Sequence, residues 1–175
     1  MAETFRDWQG RNMFWLCAPL LEDIDEKTLE RAWQWWEHAY ETYPGFEEGS
    51  TTLFEFMQGP ALTSTESPEA TAWPRKGRRH VMQLVLGCNP DKAPEDIREK
   101  VMKLFQEAGP FIAGGEGKDT GEYHAGFLHE WNDLRQVYGQ NYDRLREVKK
   151  KYDPENRFNK GVDLMEGKVR ENTTV

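Results

Sequence analysis

Residues 79–87 read RHVMQLVLG, and this stretch decides the fold because it is the clearest strand-like run in the chain. Side chains alternate between two faces of a strand, so the even-numbered residues from His80 to Leu86 share one face. Branched and aromatic residues also fill 11–18 (RNMFWLCA) and 50–58 (STTLFEFMQ), which we predict to be strands. A weaker fourth strand candidate is 123–128.

Amphipathic helices are predicted on both sides of these strands. Three stretches carry apolar residues at the three-and-four spacing that lines one helical face: 25–43, 94–109 and about 133–151. Pro44-Gly45 is expected to end the first helix, and Gly109-Pro110 the second. The long connection 59–77 permits an antiparallel strand pair without a crossover helix. The order of elements predicts an α+β fold, an antiparallel β-sheet with helices packed on one face.

Length and charge limit the class of protein. The 175 residues suit one domain, which we place at 1–160 as a single α+β module, with 161–175 as an irregular C-terminal tail. The net charge of -8 argues against nucleic-acid binding, which needs a positive surface. No apolar run is long enough to span a bilayer, so we expect no membrane partner. Two cysteines suit a reducing compartment, and we expect a cytoplasmic protein.

Seven Trp, nine Phe and six Tyr in a polar chain predict an aromatic core or cleft. Asn141 interrupts the apolar face of the third helix, either to contact a ligand or to bond a neighbouring carbonyl, and the pattern leaves both open. Glu55 and Gln83 lie among apolar strand residues, where the simpler interpretation is that they point to solvent. His124 and His129 are five residues apart, a spacing that does not suit a metal site, and we expect no metal.

These polar and aromatic residues supply the candidate site. The candidate catalytic residues, which would polarise a substrate, are Tyr123, His80 and Glu55. The candidate ligand-binding residues are Asn141, Gln83, Trp15, Phe56 and Tyr138.

Two C-terminal stretches carry a resemblance to a known family. Residues 138–145 read YGQNYDRL and residues 148–158 read VKKKYDPENRF. They resemble the closing signature of berberine-bridge-enzyme-like FAD-linked oxidoreductases, Y-G-x-N-Y-x-R-L followed by V-K-x-K-Y-D-P-x-N-x-F. Residues 71–75 (TAWPR) look like the family's T-A-F-P-H-R turn, with the His missing. The resemblance implies the substrate-side domain of such an enzyme, an antiparallel sheet backed by helices.

The resemblance also bears on the cofactor. In the family, FAD is held by an N-terminal domain to which nothing in this sequence corresponds, so we expect no cofactor on this chain alone and FAD only with a partner domain. The family's Y-x-N motif near the flavin keeps its Tyr as Tyr123, but Ala125 stands where the Asn would be, and Gly126 where a second Tyr often follows. Asn141 matches a family position near the flavin and would be cofactor-binding only with such a domain.

Three hypotheses of function follow. We favour a free-standing relative of the substrate-binding domain that binds an apolar or aromatic small molecule, one form of which is a flavin-free cyclase or isomerase of secondary metabolism. A second is the substrate half of a FAD-dependent oxidoreductase that needs a separate flavin domain. A third is a non-catalytic, dimerising ligand-binding module. The expected partner is a second copy or a flavin domain, docked on the open sheet face.

Overall fold

A three-stranded antiparallel sheet in the order β1-β3-β2 forms the centre of the N-terminal part. The computed structural model describes residues 10, 12–17, 21, 23–57, 71–72, 80–114 and 123–170. The strands are β1 (Asn12–Cys17), β2 (Thr51–Glu55) and β3 (Val81–Cys88). Their register sets Trp15 of β1 opposite Val85, and Leu53 of β2 opposite Gln83. These three strands were predicted from their branched and aromatic residues.

Two long helices cover one face of this sheet, as the sequence predicted. They are α1 (Glu26–Thr42) and α2 (Ile97–Gly114), and a 3-10 turn (Pro44–Glu48) follows α1. The Asp25 carboxylate caps α1 by accepting a hydrogen bond from the Thr28 amide at 2.8 Å. Met82, Leu84 and Leu86 of β3 are fully buried in one core with residues of both helices. The fold is therefore α+β, an antiparallel sheet with helices packed on one face.

The predicted end of the second helix at Gly109-Pro110 is wrong, because α2 continues through Pro110 to Gly114. A proline inside a helix costs one hydrogen bond and strains the preceding turn. Tertiary contacts offset that cost: Ile112 is fully buried in the core, and its carbonyl accepts a hydrogen bond from Arg31 Nε at 2.9 Å. Burial beyond the proline therefore decides where this helix ends.

The third predicted helix is broken into two. α3 (Leu134–Tyr138) is followed by a 3-10 turn (Gly139–Asn141) and then by α4 (Tyr142–Tyr152). Gly139 has φ +51 and ψ -133, a conformation that side chains disfavour, and it interrupts the continuous helix that the apolar stripe predicted. The strand predicted at 123–128 is also wrong, since these residues form an irregular turn segment.

Residues 162–169 form a hairpin rather than the irregular tail expected of them. Val162–Asp163 (β4) pairs antiparallel with Lys168–Val169 (β5). The hairpin completes a second, smaller core with α3 and α4. The buried members of this core are Tyr123, Leu134, Val137, Tyr138, Tyr142 and Val169. The boundary of a single module at 1–160 stays a prediction.

The sheet face opposite the helices is not open along β3. Val81 and Val85 lie on that face, and both are buried within the single chain. The central strand therefore offers little exposed apolar surface on this face. Docking of a second copy or a flavin domain on the sheet face stays a prediction. Exposure is found instead on β2, where 41% of Leu53 is accessible. Among the described residues, no helix has the length and apolar character to cross a membrane.

Candidate functional site

An apolar groove of about 230 Å³ lies between α1 and β2. Its lining residues are Leu29, Ala32, Trp33, Trp36, Thr52 and Phe54. The four helical residues follow the three-and-four spacing of one face, and the two strand residues alternate onto the side of β2 that faces the helices. The amphipathic pattern of α1 and the period-two pattern of β2 therefore build the groove together.

Stacked aromatic rings form the helical wall of this groove. The rings of Trp33 and Trp36 lie 5.6 Å apart at 23°, and those of Trp36 and Tyr40 lie 5.7 Å apart at 6°. Trp33 is nevertheless 61% exposed. Stacking between neighbouring turns holds these side chains in place at little further entropic cost to a ligand. The wall is therefore a preformed flat surface for another ring or an apolar chain.

None of the six lining side chains titrates near neutral pH. The polar groups among them are the Thr52 hydroxyl, which donates or accepts hydrogen bonds, and the indole N–H donors of Trp33 and Trp36. Bringing a charged ligand into this lining would remove its hydration without an ion-pair partner from these side chains. The groove is therefore chemically suited to a neutral ligand, and its lining provides shape and orientation rather than proton transfer.

Four of the predicted site residues meet at one end of β2 and β3, outside the groove lining. Glu55 Oε1 accepts a hydrogen bond from Gln83 Nε2 at 2.6 Å, so these half-buried side chains are bonded to each other instead of pointing separately to solvent. His80 is buried, its Nδ1 accepts from the Met57 amide at 3.1 Å, and its ring lies 5.7 Å from that of Phe56.

The remaining predicted residues lie elsewhere. Tyr123 and Tyr138 are buried in the second core, and burial raises the pKa of the Tyr138 hydroxyl. Trp15 is placed by its backbone on β1, and its side chain lies outside the described residues. The structure therefore divides the predicted catalytic set, with Glu55 and His80 at the sheet end and Tyr123 in the C-terminal core. Their catalytic roles stay predictions.

Asn141 bonds to a backbone carbonyl, which is one of the two alternatives that the sequence left open for it. Its side chain is buried, and Nδ2 donates to the carbonyl of Thr71 at 2.9 Å. This bond joins the 3-10 turn before α4 to the start of the TAWPR stretch, of which residues 73–75 lie outside the described residues. Asn141 therefore serves to tie two distant segments together.

The geometry at Asn141, Tyr123 and Tyr138 bears on whether the family's FAD fits this part of the chain. The Asn141 amide is committed to a backbone carbonyl, and Tyr123 and Tyr138 are enclosed in an apolar core. A flavin needs accessible polar groups to hold its ring edge and phosphates. These three residues do not fit that requirement. Within the described ranges, no group of three or more His, Cys, Asp or Glu is placed to hold a metal ion.

Residues of the VKKKYDPENRF signature make hydrogen bonds that stabilise the turn after α4. Asp153 pairs with Lys149 and accepts hydrogen bonds from the amides of Phe158 at 2.9 Å and Arg157 at 2.8 Å. The Lys149 bond and these backbone amides lower the pKa of Asp153 to about 2. Asn156, at φ +53, donates through Nδ2 to Asp163 of the hairpin at 3.1 Å. The signature residues thus shape the turn after α4.

Asp163 and Arg170 were not found by sequence reasoning. Asp163 is fully buried and accepts from Arg170 Nε at 2.8 Å and from the amides of Met165 at 3.0 Å and Glu166 at 3.1 Å. Burial alone would raise the pKa of Asp163, but the hydrogen bonds from Glu166, Arg170 and Asn156 outweigh it and lower the pKa. The signal available in the sequence was the turn-like MEG at 165–167 between two short branched runs.

Comparison with known proteins agrees with the C-terminal part of the chain. The sequence model of the family described as "Berberine and berberine like" matches residues 119–161. The bifunctional decalin synthase calF of Penicillium decumbens is 38% identical over 60 residues, which span 34% of this chain and 9% of that protein. No solved structure matches. Residues 119–161 are therefore a berberine-like segment, and the resemblance read from YGQNYDRL and VKKKYDPENRF is confirmed.

Proposed function

We propose that this chain binds a neutral apolar or aromatic small molecule in the groove between α1 and β2. The observation that carries the proposal is the exposed, stacked Trp33–Trp36 wall facing Phe54 across a cleft whose lining does not titrate. Large exposed aromatic surfaces are uncommon on soluble proteins unless a ligand or partner covers them. Apolar concave sites with one or two polar groups are the usual form of small-molecule sites.

The name of a relative supports a neutral fused-ring compound, or its precursor, as the proposed ligand. The matched fungal protein is named a decalin synthase, and decalin is a neutral, fused bicyclic hydrocarbon skeleton. A flat indole wall and an apolar strand floor suit a fused ring system or the folded polyene that precedes one. In the cyclase or isomerase form of the proposal, the groove accelerates ring closure by holding the chain in a reactive conformation. The lining itself contributes no general acid or base to that step.

Fluorescence titration with N-phenyl-1-naphthylamine, a neutral fused bicyclic probe, tests this proposal. Saturable binding is expected, because the probe exchanges water for the Trp33 ring and the Phe54 floor. Replacing Trp33 by Ala is expected to weaken binding about tenfold, the loss of one aromatic contact of about 1.4 kcal/mol.

The matched control is Phe111→Ala, which removes an exposed aromatic ring from α2 outside the groove lining. Its affinity for the probe is expected to equal that of the unmodified protein. Absence of saturable binding, or equal loss in both variants, would contradict the proposal.

A further inference from the structure

The outer edge of β2 has backbone groups that could pair with a further strand. β2 stands at one end of the order β1-β3-β2, and within the part of the chain that the structure describes no strand pairs with its outer side. An edge strand presents a row of backbone donors and acceptors, which proteins usually protect with Pro, Lys or a bulge. The sequence of β2, TTLFE, contains neither Pro nor Lys, and its register with β3 runs without a bulge.

Exposed apolar side chains surround this edge. Leu53 lies in the middle of β2 and is 41% exposed, and Phe56 just beyond its end is 58% exposed. Trp33 lies beside the same strand on the helical wall of the groove. Apolar area next to unpaired backbone groups favours the addition of another strand, since one contact buries both.

The groove itself is incomplete at this edge. Its volume of about 230 Å³ is below the roughly 300–1,000 Å³ typical of small-molecule sites. Its floor consists of Thr52 and Phe54, and both belong to the edge strand. A strand added to β2 would therefore extend the floor directly.

We propose that a second copy of this chain pairs its β2 antiparallel with β2 about a two-fold axis at Leu53. In this register Thr51 lies opposite Glu55 of the second copy, Thr52 opposite Phe54, and Leu53 opposite Leu53. The pairing joins two three-stranded sheets into one of six strands. It is self-complementary, as a two-fold interface requires, and it sets each Glu55 carboxylate opposite a hydroxyl rather than the other carboxylate.

The two grooves become one site in this arrangement. An axis perpendicular to the sheet keeps both sets of helices on the same face, so the Thr52 and Phe54 floors run together between the two α1 helices. The stacked wall containing Trp33 in each copy then borders a shared apolar cavity. The second copy thus supplies half of the floor on which a ligand rests, and the strand pairing does not depend on ligand binding.

Sedimentation velocity over a concentration series tests the pairing on the full chain. A dimer is expected for the unmodified protein. Leu53→Lys is expected to give a monomer, because it sets two ammonium groups opposite each other at the axis. Leu53 is partly exposed, so a lysine there is compatible with folding, which circular dichroism checks. Phe111→Lys, an equal change at an exposed site on α2, is expected to remain a dimer.

Leu53→Cys tests the register itself. Residues directly opposite in an antiparallel pair have Cα atoms about 4.5–5.5 Å apart, within the range of a disulfide. Mild oxidation is expected to cross-link Leu53→Cys into a covalent dimer, and Phe111→Cys to leave no more dimer than the unmodified protein. A monomeric wild type, or a dimer that Leu53→Lys leaves intact, would overturn the pairing. Probe binding by a monomer would keep the proposed function and reject this inference, and a dimer without probe binding would do the reverse.

Discussion

Replacing Asp163 by Asn should cost more stability than any other single carboxylate change in the C-terminal core. The Asp163 side chain is 0% exposed, and its partner Arg170 is 37% exposed, with Nη2 at 2.7 Å from Oδ2. Nδ2 of Asn156 and the amides of Met165 and Glu166 complete its set of donors. An Asn at this position keeps the shape but turns one acceptor into a donor facing other donors.

The magnitude follows from these contacts. Breaking a fully buried ion pair from one side costs about 3–5 kcal/mol, and hydrogen bonds to a charged group are each worth about 1.5–3 kcal/mol. Arg170 is one-third exposed, so water compensates part of the loss, and the backbone amides still find one oxygen. We expect the free energy of unfolding to fall by about 2–3 kcal/mol. For a chain of this size the melting temperature falls by about 4–12 °C.

Thermal unfolding followed by circular dichroism is the assay, with Asp143→Asn as the control. Asp143 also pairs with an arginine, Arg135 at 3.2 Å, but both side chains are largely exposed, so its loss should cost less than about 1 kcal/mol. Because folding lowers the pKa of Asp163, its carboxylate stabilises the folded state at pH values above the ordinary pKa of 3.8. This contribution is lost as the pH falls from 3.8 through the lowered pKa. The difference in melting temperature between Asp163→Asn and the unmodified protein should therefore become smaller in acid. Equal melting temperatures for the two variants at neutral pH would refute the reasoning.

Three further predictions concern the same half of the chain. Gly139→Ala should lower the free energy of unfolding by about 1–3 kcal/mol in urea titration, because alanine resists the positive φ that separates α3 from α4; an unchanged midpoint would contradict this. Asn141→Ala should speed hydrogen exchange around Thr71 by removing the 2.9 Å bond to its carbonyl, and unchanged exchange there would show that the bond is dispensable. Asp153→Asn should reduce the loss of stability between pH 3.8 and about 2, because protonation of Asp153 in this range weakens its bonds to Lys149 and to the backbone amides. An acid unfolding transition identical to that of the unmodified protein would contradict this.

Local sequence patterns predicted the elements whose signals repeat along the chain. α1 was predicted from its apolar spacing and from Pro44-Gly45 after it, and the period-two alternation of 79–87 placed Met82, Leu84 and Leu86 on the core face of β3. Both patterns arise because one face of the element is buried. An apolar residue therefore recurs at every turn of a helix and at every second residue of a strand.

The errors arose where distant contacts override local preference. α2 passes Pro110 because Ile112 is buried and held by Arg31 from another helix. The short strands of the C-terminal hairpin are fixed by the Asp163 cluster and by Arg146, which donates to the carbonyls of Leu164 at 3.0 Å and Met165 at 3.1 Å. A strand of two residues is too short to show a periodic pattern in the sequence. The break at Gly139 was readable from the glycine, and the apolar stripe outweighed it in the prediction.

The candidate site shows the same division. The sequence indicated an aromatic cleft, with Trp15, Phe56 and Tyr138 among its candidate rings. Its candidate polar groups included Glu55, Gln83 and Asn141, each of which bonds within the protein. The groove between α1 and β2 is lined by other residues, of types usual in a core, Trp33 and Phe54 among them. Apolar periodicity does not distinguish a residue packed against the sheet from one at the rim of the packing, since the difference depends on where the sheet ends. That edge is defined by strand order, which the sequence did not specify.

Hydrogen–deuterium exchange with and without saturating N-phenyl-1-naphthylamine tests the proposed ligand site most directly. We predict slower exchange in residues 26–36 and 51–55, which carry the groove, and unchanged exchange in 123–142. Protection confined to 123–142, around Tyr123 and Asn141, or no protection anywhere, would contradict the assignment of the groove.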